Sequence, residues 1–213
     1  CEDTMPKKFI ATLGRTLDAR PDRLDLRDRP YLPPVATLPP SVPGDAEIGK
    51  WLPAYVKAGF ILDQGEEGAC TGFGLACVVH YLLWRRHMEA GARGRLPRVS
   101  TRMLYHLARF YDEWPGEDYE GSSCRGALKG WHRHGVCAES LWPYTGRRGK
   151  VEFVAPSGDW DLDAMQRRLG VYYRIDCKSV VDMQAAIKEI GAIYVSGEVH
   201  DGWDHLQVKG RRT

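Results

Sequence analysis

The stretch from Cys70 to Met88 constrains the fold more than any other part of this sequence. Its large side chains recur at spacings of three and four, with small residues between them: Phe73, Cys77, Tyr81 and Trp84. Apolar residues at this spacing share one face of an α-helix, and small residues let other elements pack closely. The pattern predicts a helix that is buried on most sides, with the rest of the domain packed around it.

The chain before this helix has a different character. Residues 1 to 43 show little periodic pattern, and the segment "RPYLPPVATLPPSVP" from Arg29 to Pro43 is rich in proline. Proline fixes φ and lacks a backbone N–H, so this segment cannot form a helix interior or a central strand. We expect an extended arm on the surface, followed by a short helix within residues 44–60 that Pro53 limits.

The chain after the central helix combines further helices with short strands. Ser100 is an N-cap candidate for a helix to about Trp114, and a third helix should run from Cys124 to His134, ended by Gly135. Later segments predict helices at 162–170 and 180–190 and strands at 171–175 and 192–199. The pattern indicates a mostly helical block from about residue 61 to 145, followed by a mixed segment.

The net charge and the hydrophobic pattern of the chain argue against nucleic acid as a partner and against a membrane span. The 213 residues are enough for one domain or two closely joined lobes. The formal net charge of +2 is too small to indicate nucleic acid as a partner. No apolar run approaches the roughly 20 residues that a membrane span needs.

Six cysteines are spread along the chain, and no CxxC pair occurs among them. A chain of this size does not need disulfides, so we expect free thiols, no metal site and no cofactor. Free thiols favour a reducing compartment, the cytoplasm. The first residue is Cys1, so a secreted or lipid-anchored protein stays an alternative.

Cys70 stands at the start of the central helix, within "DQGEEGACTGFGLA". The positive end of the helix dipole favours the thiolate, which is the reactive form of cysteine. Gln64, six residues earlier, could donate a hydrogen bond to an oxyanion beside the sulfur. Most cysteines among small apolar residues are inert, as we expect for Cys77, and the charges of Glu66 and Glu67 oppose a thiolate at Cys70.

This motif resembles the active-site stretch of papain-like cysteine peptidases, where a glutamine and a glycine turn precede the nucleophilic cysteine. Four more segments are similar to the family in the same order: "LDLRDRPYLPPV" (24–35), "STRMLYHLAR" (100–109), "YEGSSCRGALKGWHRHGVCAESLWPY" (119–144) and "MQAAIKEIGAIYVSGEV" (183–199). The resemblance implies an α+β papain-like fold, with a helical left lobe and the beginning of a β-barrel right lobe. The phrase "GVCAESLWPY" resembles bacterial members.

The resemblance also implies roles for individual residues. Cys70 falls on the nucleophile and Gln64 on the glutamine of the oxyanion hole. The segment from Cys124 to Ala127 falls on the family's Cys-Asn-Gly-Gly stretch, whose backbone binds an extended peptide in the substrate groove. The residues expected to bind substrate there are Gly126, Arg125 and Ala127.

The implied division of the chain has four parts. Residues 1–23 form an N-terminal extension, and 24–60 form a proline-rich arm that crosses between the lobes. Residues 61–145 form the helical lobe with the nucleophile helix, and 146–213 form a partial β-barrel lobe. The extension is shorter than the propeptides of secreted members, and it could form a short plug.

The sequence departs from the family at the catalytic base. A histidine and an asparagine are expected about 130 to 150 residues after the cysteine. His200 and His205 fall in this window, but their context "EVHDGWDHLQVKGRRT" lacks the family's strand, and the chain contains no Asn. The resemblance therefore implies a histidine and an asparagine beyond residue 213, in a remaining C-terminal segment of the same protein.

Two further departures lie close to Cys70. Glu67 stands where many members carry a disulfide-bonded cysteine, and Thr71 stands where the family usually has a tryptophan. The family's disulfide therefore cannot form here.

Three functions fit these residues. The first is a cysteine peptidase that hydrolyses a bound peptide or protein substrate through the Cys70 thiolate. The second is a non-catalytic peptide-binding module on a peptidase scaffold, which Glu66, Glu67, Thr71 and the missing asparagine favour. The third is a related acyl transfer to another acceptor, which would use the same nucleophile and oxyanion donor.

Overall fold

The computed structural model describes residues 8–10, 15–34, 42–114, 119–147 and 150–200. Its strands are β1 (Lys8–Ile10), β2 (Arg15–Leu17), β3 (Ala19–Arg20), β4 (Ser122–Ser123), β5 (Thr145–Arg147) and β6 (Lys150–Glu152). Its helices are α1 (Asp45–Lys57), α2 (Cys70–Glu89), α3 (Thr101–Phe110), α4 (Cys124–His134), α5 (Trp160–Met165) and α6 (Val180–Ile190). None of the helices in the described ranges combines the length and the apolar character that a membrane span requires.

Helix α2 lies at the centre of the core, as predicted for Cys70 to Met88. Its residues Leu75, Ala76 and Val79 are buried and pack against residues of α3 and α4. A Cβ built on Gly72 would lie 2.6 Å from the Tyr105 Cβ, so only glycine lets α2 and α3 approach this closely. The result is a three-helix core that fixes the position of the α2 N-terminus.

The neighbouring helices begin and end close to the predicted residues. Ser100 caps α3, because its Oγ accepts a hydrogen bond from the Met103 backbone N at 2.9 Å. Helix α3 ends at Phe110, four residues before the predicted end. Helix α4 has the predicted bounds, and Gly135 ends it with a φ of 77°.

Helix α1 is longer than the short helix predicted for residues 44–60. It spans 13 residues and contains Pro53 within its length. Its residue Tyr55 packs in an aromatic cluster with Phe60 and Trp84. These tertiary contacts hold the helix although Pro53 cannot donate a backbone hydrogen bond.

The part after residue 145 follows the helix predictions better than the strand predictions. Helix α6 has its predicted N-cap, Ser179, and the predicted Gly191 ends it in the left-handed conformation. The strands predicted at 171–175 and 192–199 are wrong within the described residues: the first makes a single bridge from Arg174 to Pro30, and the second has no strand assignment. A strand needs a hydrogen-bonded neighbour, and the described chain supplies none to either segment beyond that bridge. The described chain instead forms a hairpin of β5 and β6.

Candidate active site

Gln64 and Cys70 frame a short loop that leads into α2. Gln64 is only 8% exposed, and its side-chain Nε2 donates hydrogen bonds to the Glu67 backbone oxygen at 3.0 Å and the Thr16 backbone oxygen at 2.7 Å. The first bond lies within the loop and fixes the amide. The second shows that this amide binds a peptide carbonyl of an extended segment, the kind of group that an oxyanion donor must recognise.

The extended segment is Thr16 to Arg20, from the predicted N-terminal extension. Strand β3 pairs in parallel with β4, with Ala19 opposite Ser122 and Arg20 opposite Ser123. Burial alternates along the segment, because Thr16, Asp18 and Arg20 are buried while Ala19 is exposed. An element with this alternation lies in a groove with every second side chain pointing inward. We call this segment, Thr16 to Arg20, the groove strand.

The groove strand makes a close backbone contact at Gly121. The Gly121 backbone N donates to the Asp18 Oδ2 at 2.9 Å. A Cβ at Gly121 would overlap the Asp18 carbonyl oxygen, so any other residue here would push the strand out. The groove is therefore shaped for an extended backbone on the side of α2 where Cys70 lies.

The Cys70 thiol is half-buried beneath the groove strand. Burial raises its pKa, and the nearby Asp18 carboxylate adds to the rise. Hydrogen bonds from the backbone N–H groups of Asp18, Thr71 and Cys70 itself act in the opposite direction. The helix-terminal N–H groups thus favour the thiolate, as predicted, but burial and the Asp18 carboxylate outweigh them, so the pKa of Cys70 is raised overall.

Glu67 does not oppose the thiolate in the way its charge suggested. Its two carboxylate oxygens each accept a hydrogen bond from the Arg102 guanidinium at 3.1 Å. The Tyr144 hydroxyl donates to the same carboxylate at 2.5 Å and to the Gln64 backbone oxygen at 3.0 Å. Glu67 is therefore compensated, and its ion pair ties the loop that carries Gln64 to α3. All five cysteines in the described ranges are free: Cys70, Cys77, Cys124, Cys137 and Cys177.

The three residues predicted to line the groove lie in the first turn of α4. The Gly126 backbone N donates to the Ser123 Oγ at 3.1 Å, and Ala127 is fully buried in the main core. The Arg125 guanidinium is buried against the carboxylates of Asp28 and Glu113. Their contact with a substrate stays a prediction.

The backbone that the groove strand contacts belongs to residues just before α4. These residues are Gly121, Ser122 and Ser123. The sequence resemblance did not indicate these residues, because it was aligned with the family at Cys124. The run of small residues ahead of an N-cap serine was the available signal, since such a run favours exposed extended backbone.

The five histidines on helices all contact groups other than Cys70. His80 is fully buried, its Nε2 accepts a hydrogen bond from the Val99 backbone N at 2.8 Å, and burial lowers its pKa to about 4. The other four make their contacts elsewhere: His87 with Gly94, His106 with Trp142, His132 with Leu169 and Gly170, and His134 with Tyr111. His205, one of the two histidines in the expected window, lies outside the described residues.

Metal ligation has no candidate in the described ranges, where no group of three His, Cys, Asp or Glu side chains is placed to hold an ion.

The α+β fold of the chain is that of the papain-like cysteine proteases. Two solved structures carry this fold. Xylellain, a cysteine protease from Xylella fastidiosa, is 24% identical with a TM-score of 0.57, over 80% of this chain and 62% of xylellain. The digestive procathepsin L 3 of the Tenebrio molitor larval midgut is 21% identical with a TM-score of 0.52, over 85% of this chain and 49% of that protein.

The chain spans less than two thirds of either relative. No protein-family model and no curated protein sequence matches it. The structural similarities confirm the fold that the sequence predicted.

Proposed function

We propose that the chain carries the nucleophile, the oxyanion donor and part of the substrate groove of a cysteine peptidase. In this proposal the Cys70 thiolate attacks the carbonyl carbon of a bound peptide or protein. The developing oxyanion is held by the Gln64 amide and the Cys70 backbone N–H. One observation carries the proposal: Gln64 Nε2 already donates to a carbonyl of an extended backbone, Thr16 O at 2.7 Å, in a groove that also covers the Cys70 sulfur.

The base belongs to the proposal as an expectation from the family resemblance. A histidine must take the thiol proton and return it to the leaving amine. None of the contacts described for the helical histidines involves Cys70. The resemblance implies a histidine and an asparagine beyond residue 213, which would complete the site.

The groove strand adds a condition to this function. A substrate must displace Thr16 to Arg20 before it can reach the sulfur, and the same displacement would remove the Asp18 carboxylate and readmit water. Both changes lower the pKa of Cys70 towards its ordinary value or below it, because the helix-terminal N–H groups then act unopposed. The covered state is thus the less reactive one.

The test is labelling of the intact protein with a thiol-reactive peptide epoxide, read by mass spectrometry. We expect modification at Cys70 and not at Cys77, and we expect Cys70→Ser to remove both the label and peptide hydrolysis, by at least about a thousandfold. Cys77→Ser is the matched control on the same helix and should keep both. A folded protein whose Cys70 stays unmodified, even when Arg20→Gln weakens the groove strand, contradicts the proposal.

A second candidate is a peptide-binding module without catalysis. It is favoured by the same groove strand, an extended segment held against a thiol whose pKa is raised. This candidate gains if the Arg20→Gln variant binds added peptides but hydrolyses none.

A further inference from the structure

The groove strand ends at Arg20, whose guanidinium lies against two aromatic rings. The Arg20 guanidinium carbon lies 4.4 Å from the centre of the Tyr119 ring and 5.6 Å from the centre of the Trp114 ring. The Arg20 side chain is buried there, with 8% of the residue exposed. We call the space between Trp114 and Tyr119 the aromatic slot.

The aromatic slot is fixed by residues that do not belong to the groove strand. The Tyr119 hydroxyl donates to the Asp112 carboxylate, and the Arg109 guanidinium donates to the Tyr119 backbone oxygen at 2.9 Å. The other oxygen of Asp112 accepts from the Ser123 backbone N at 2.9 Å, which ties the slot to β4. The Tyr119 side of the slot therefore has contacts that do not depend on the strand, and the Asp112 charge makes it more attractive to a cation. The Trp114 ring contacts the residues that follow the strand: its Nε1 donates to the Pro21 backbone oxygen at 3.4 Å, and the Arg23 guanidinium carbon lies 3.9 Å from the ring centre.

The position of the slot along the groove relates it to the nucleophile. Asp18, whose backbone N–H hydrogen bonds to the Cys70 sulfur, is two residues from Arg20. Side chains two apart on an extended chain point to the same side, and both Asp18 and Arg20 point into the groove. An extended peptide that takes the same course and register as the strand would bring a side chain to the slot at the same distance from the sulfur.

We propose that the aromatic slot of Trp114 and Tyr119 is a substrate subsite for a basic side chain, and that Arg20 occupies it as a stand-in for a substrate arginine. The ring faces attract the guanidinium and bury its apolar stem. The inference rests on the proposed function and names its substrate class: peptides that carry arginine about two residues from the bond that Cys70 attacks.

The first test measures the slot without requiring catalysis. In the full chain carrying Arg20→Gln, iodoacetamide alkylates Cys70, and an added peptide with the sequence of Thr16 to Arg23 slows that reaction. The same peptide with citrulline at the position of Arg20 keeps the shape and lacks the charge. We expect the arginine peptide to protect Cys70 at about tenfold lower concentration.

Substitutions at the slot give the matched controls. Trp114→Leu should remove the difference between the arginine and citrulline peptides, and Trp114→Phe should keep most of it. Circular dichroism and the thermal midpoint show whether each variant is folded. Equal protection by the two peptides, or no protection by either, overturns the slot as an arginine subsite.

The second test concerns substrates. We expect the sites at which the Arg20→Gln variant cuts a denatured protein to be enriched in arginine within three residues of the cut, and Trp114→Leu to lose that enrichment. If the variant cuts without a preference for arginine, the slot is not an arginine subsite, but the proposal of a peptidase stands. If the arginine peptide protects Cys70 selectively and no protein is cut, the slot is still a site for basic peptides. That result counts against the proposal of a peptidase.

Discussion

The helical lobe and the part after it use apolar residues in opposite ways. In α2 and α3 the periodic apolar residues are buried, and Leu75, Met103 and Leu104 are fully inaccessible. In α6 the same kind of periodicity buries only Ala186, while Val180 is 64% exposed. Periodicity predicts which residues share a face of a helix, but whether another element covers that face depends on the tertiary fold.

The largest expected effect is a difference in stability between two leucine-to-alanine variants, one in the helical lobe and one in the part after it. Leu104→Ala should lower the free energy of unfolding by about 4 kcal/mol, because the side chain is fully buried and its removal leaves a cavity. Leu162→Ala in α5, where the leucine is 60% exposed, should change it by less than about 0.5 kcal/mol. Urea denaturation of both variants measures the difference, and similar losses would mean that the two regions are packed alike.

A smaller effect comes from the buried histidine of the helical lobe. The pKa of His80 is lowered from 6.5 to about 4 by burial, so folding disfavours its protonated form. The corresponding stability is present above pH 6.5 and is lost as the pH falls towards 4, by about 3 kcal/mol in total. The measurement is the free energy of unfolding between pH 7 and pH 4.

The controls for this pH dependence lie on the same helix. His80→Gln keeps an acceptor for the Val99 N–H and should flatten the curve, whereas His87→Gln, at a half-buried position on the same helix, is the matched control. An unchanged curve for His80→Gln would show that another group causes the dependence.

The smallest expected effect is a difference in stability between variants of two N-cap serines, each of which accepts a hydrogen bond from a backbone N in the first turn of its helix. Ser100→Ala should cost about 2 kcal/mol, because the Ser100 Oγ accepts from the Met103 N and donates to the Trp142 carbonyl oxygen while fully buried. Ser179→Ala should cost about 0.5 to 1 kcal/mol, because within the described ranges its Oγ makes the cap bond alone, 3.2 Å from the Asp182 N, at a half-buried position. Thermal unfolding of both variants tests the order, and equal losses would contradict it.

Local signals predicted the elements of the site well. Ser100 and Ser179 marked the starts of α3 and α6, and Gly135 marked the end of α4. The position of Gln64 and Cys70 before and at the start of α2 followed from one short motif. These features depend on neighbours within a few residues, so a single sequence carries them.

Contacts between distant parts of the chain were not predictable. Gly121 meets Asp18 across 103 positions of sequence, and the pairing of β3 with β4 involves only two residues on each side. No periodic pattern marks so short a strand. The raised pKa of Cys70 was not predictable for the same reason, since burial in the folded chain and the carboxylate of the distant Asp18 outweigh the local N–H groups.

The ion pair of Glu67 with Arg102 has a consequence for the loop that carries Gln64. Where the sequence resemblance implies a disulfide-bonded cysteine, this chain has Glu67, whose ion pair with Arg102 ties the loop to α3. A disulfide is opened by a reductant and needs an oxidising environment to form. An ion pair forms as the chain folds, and its stability does not depend on the redox potential. The loop architecture is thus compatible with a thiol-rich environment in which Cys70 itself stays reduced.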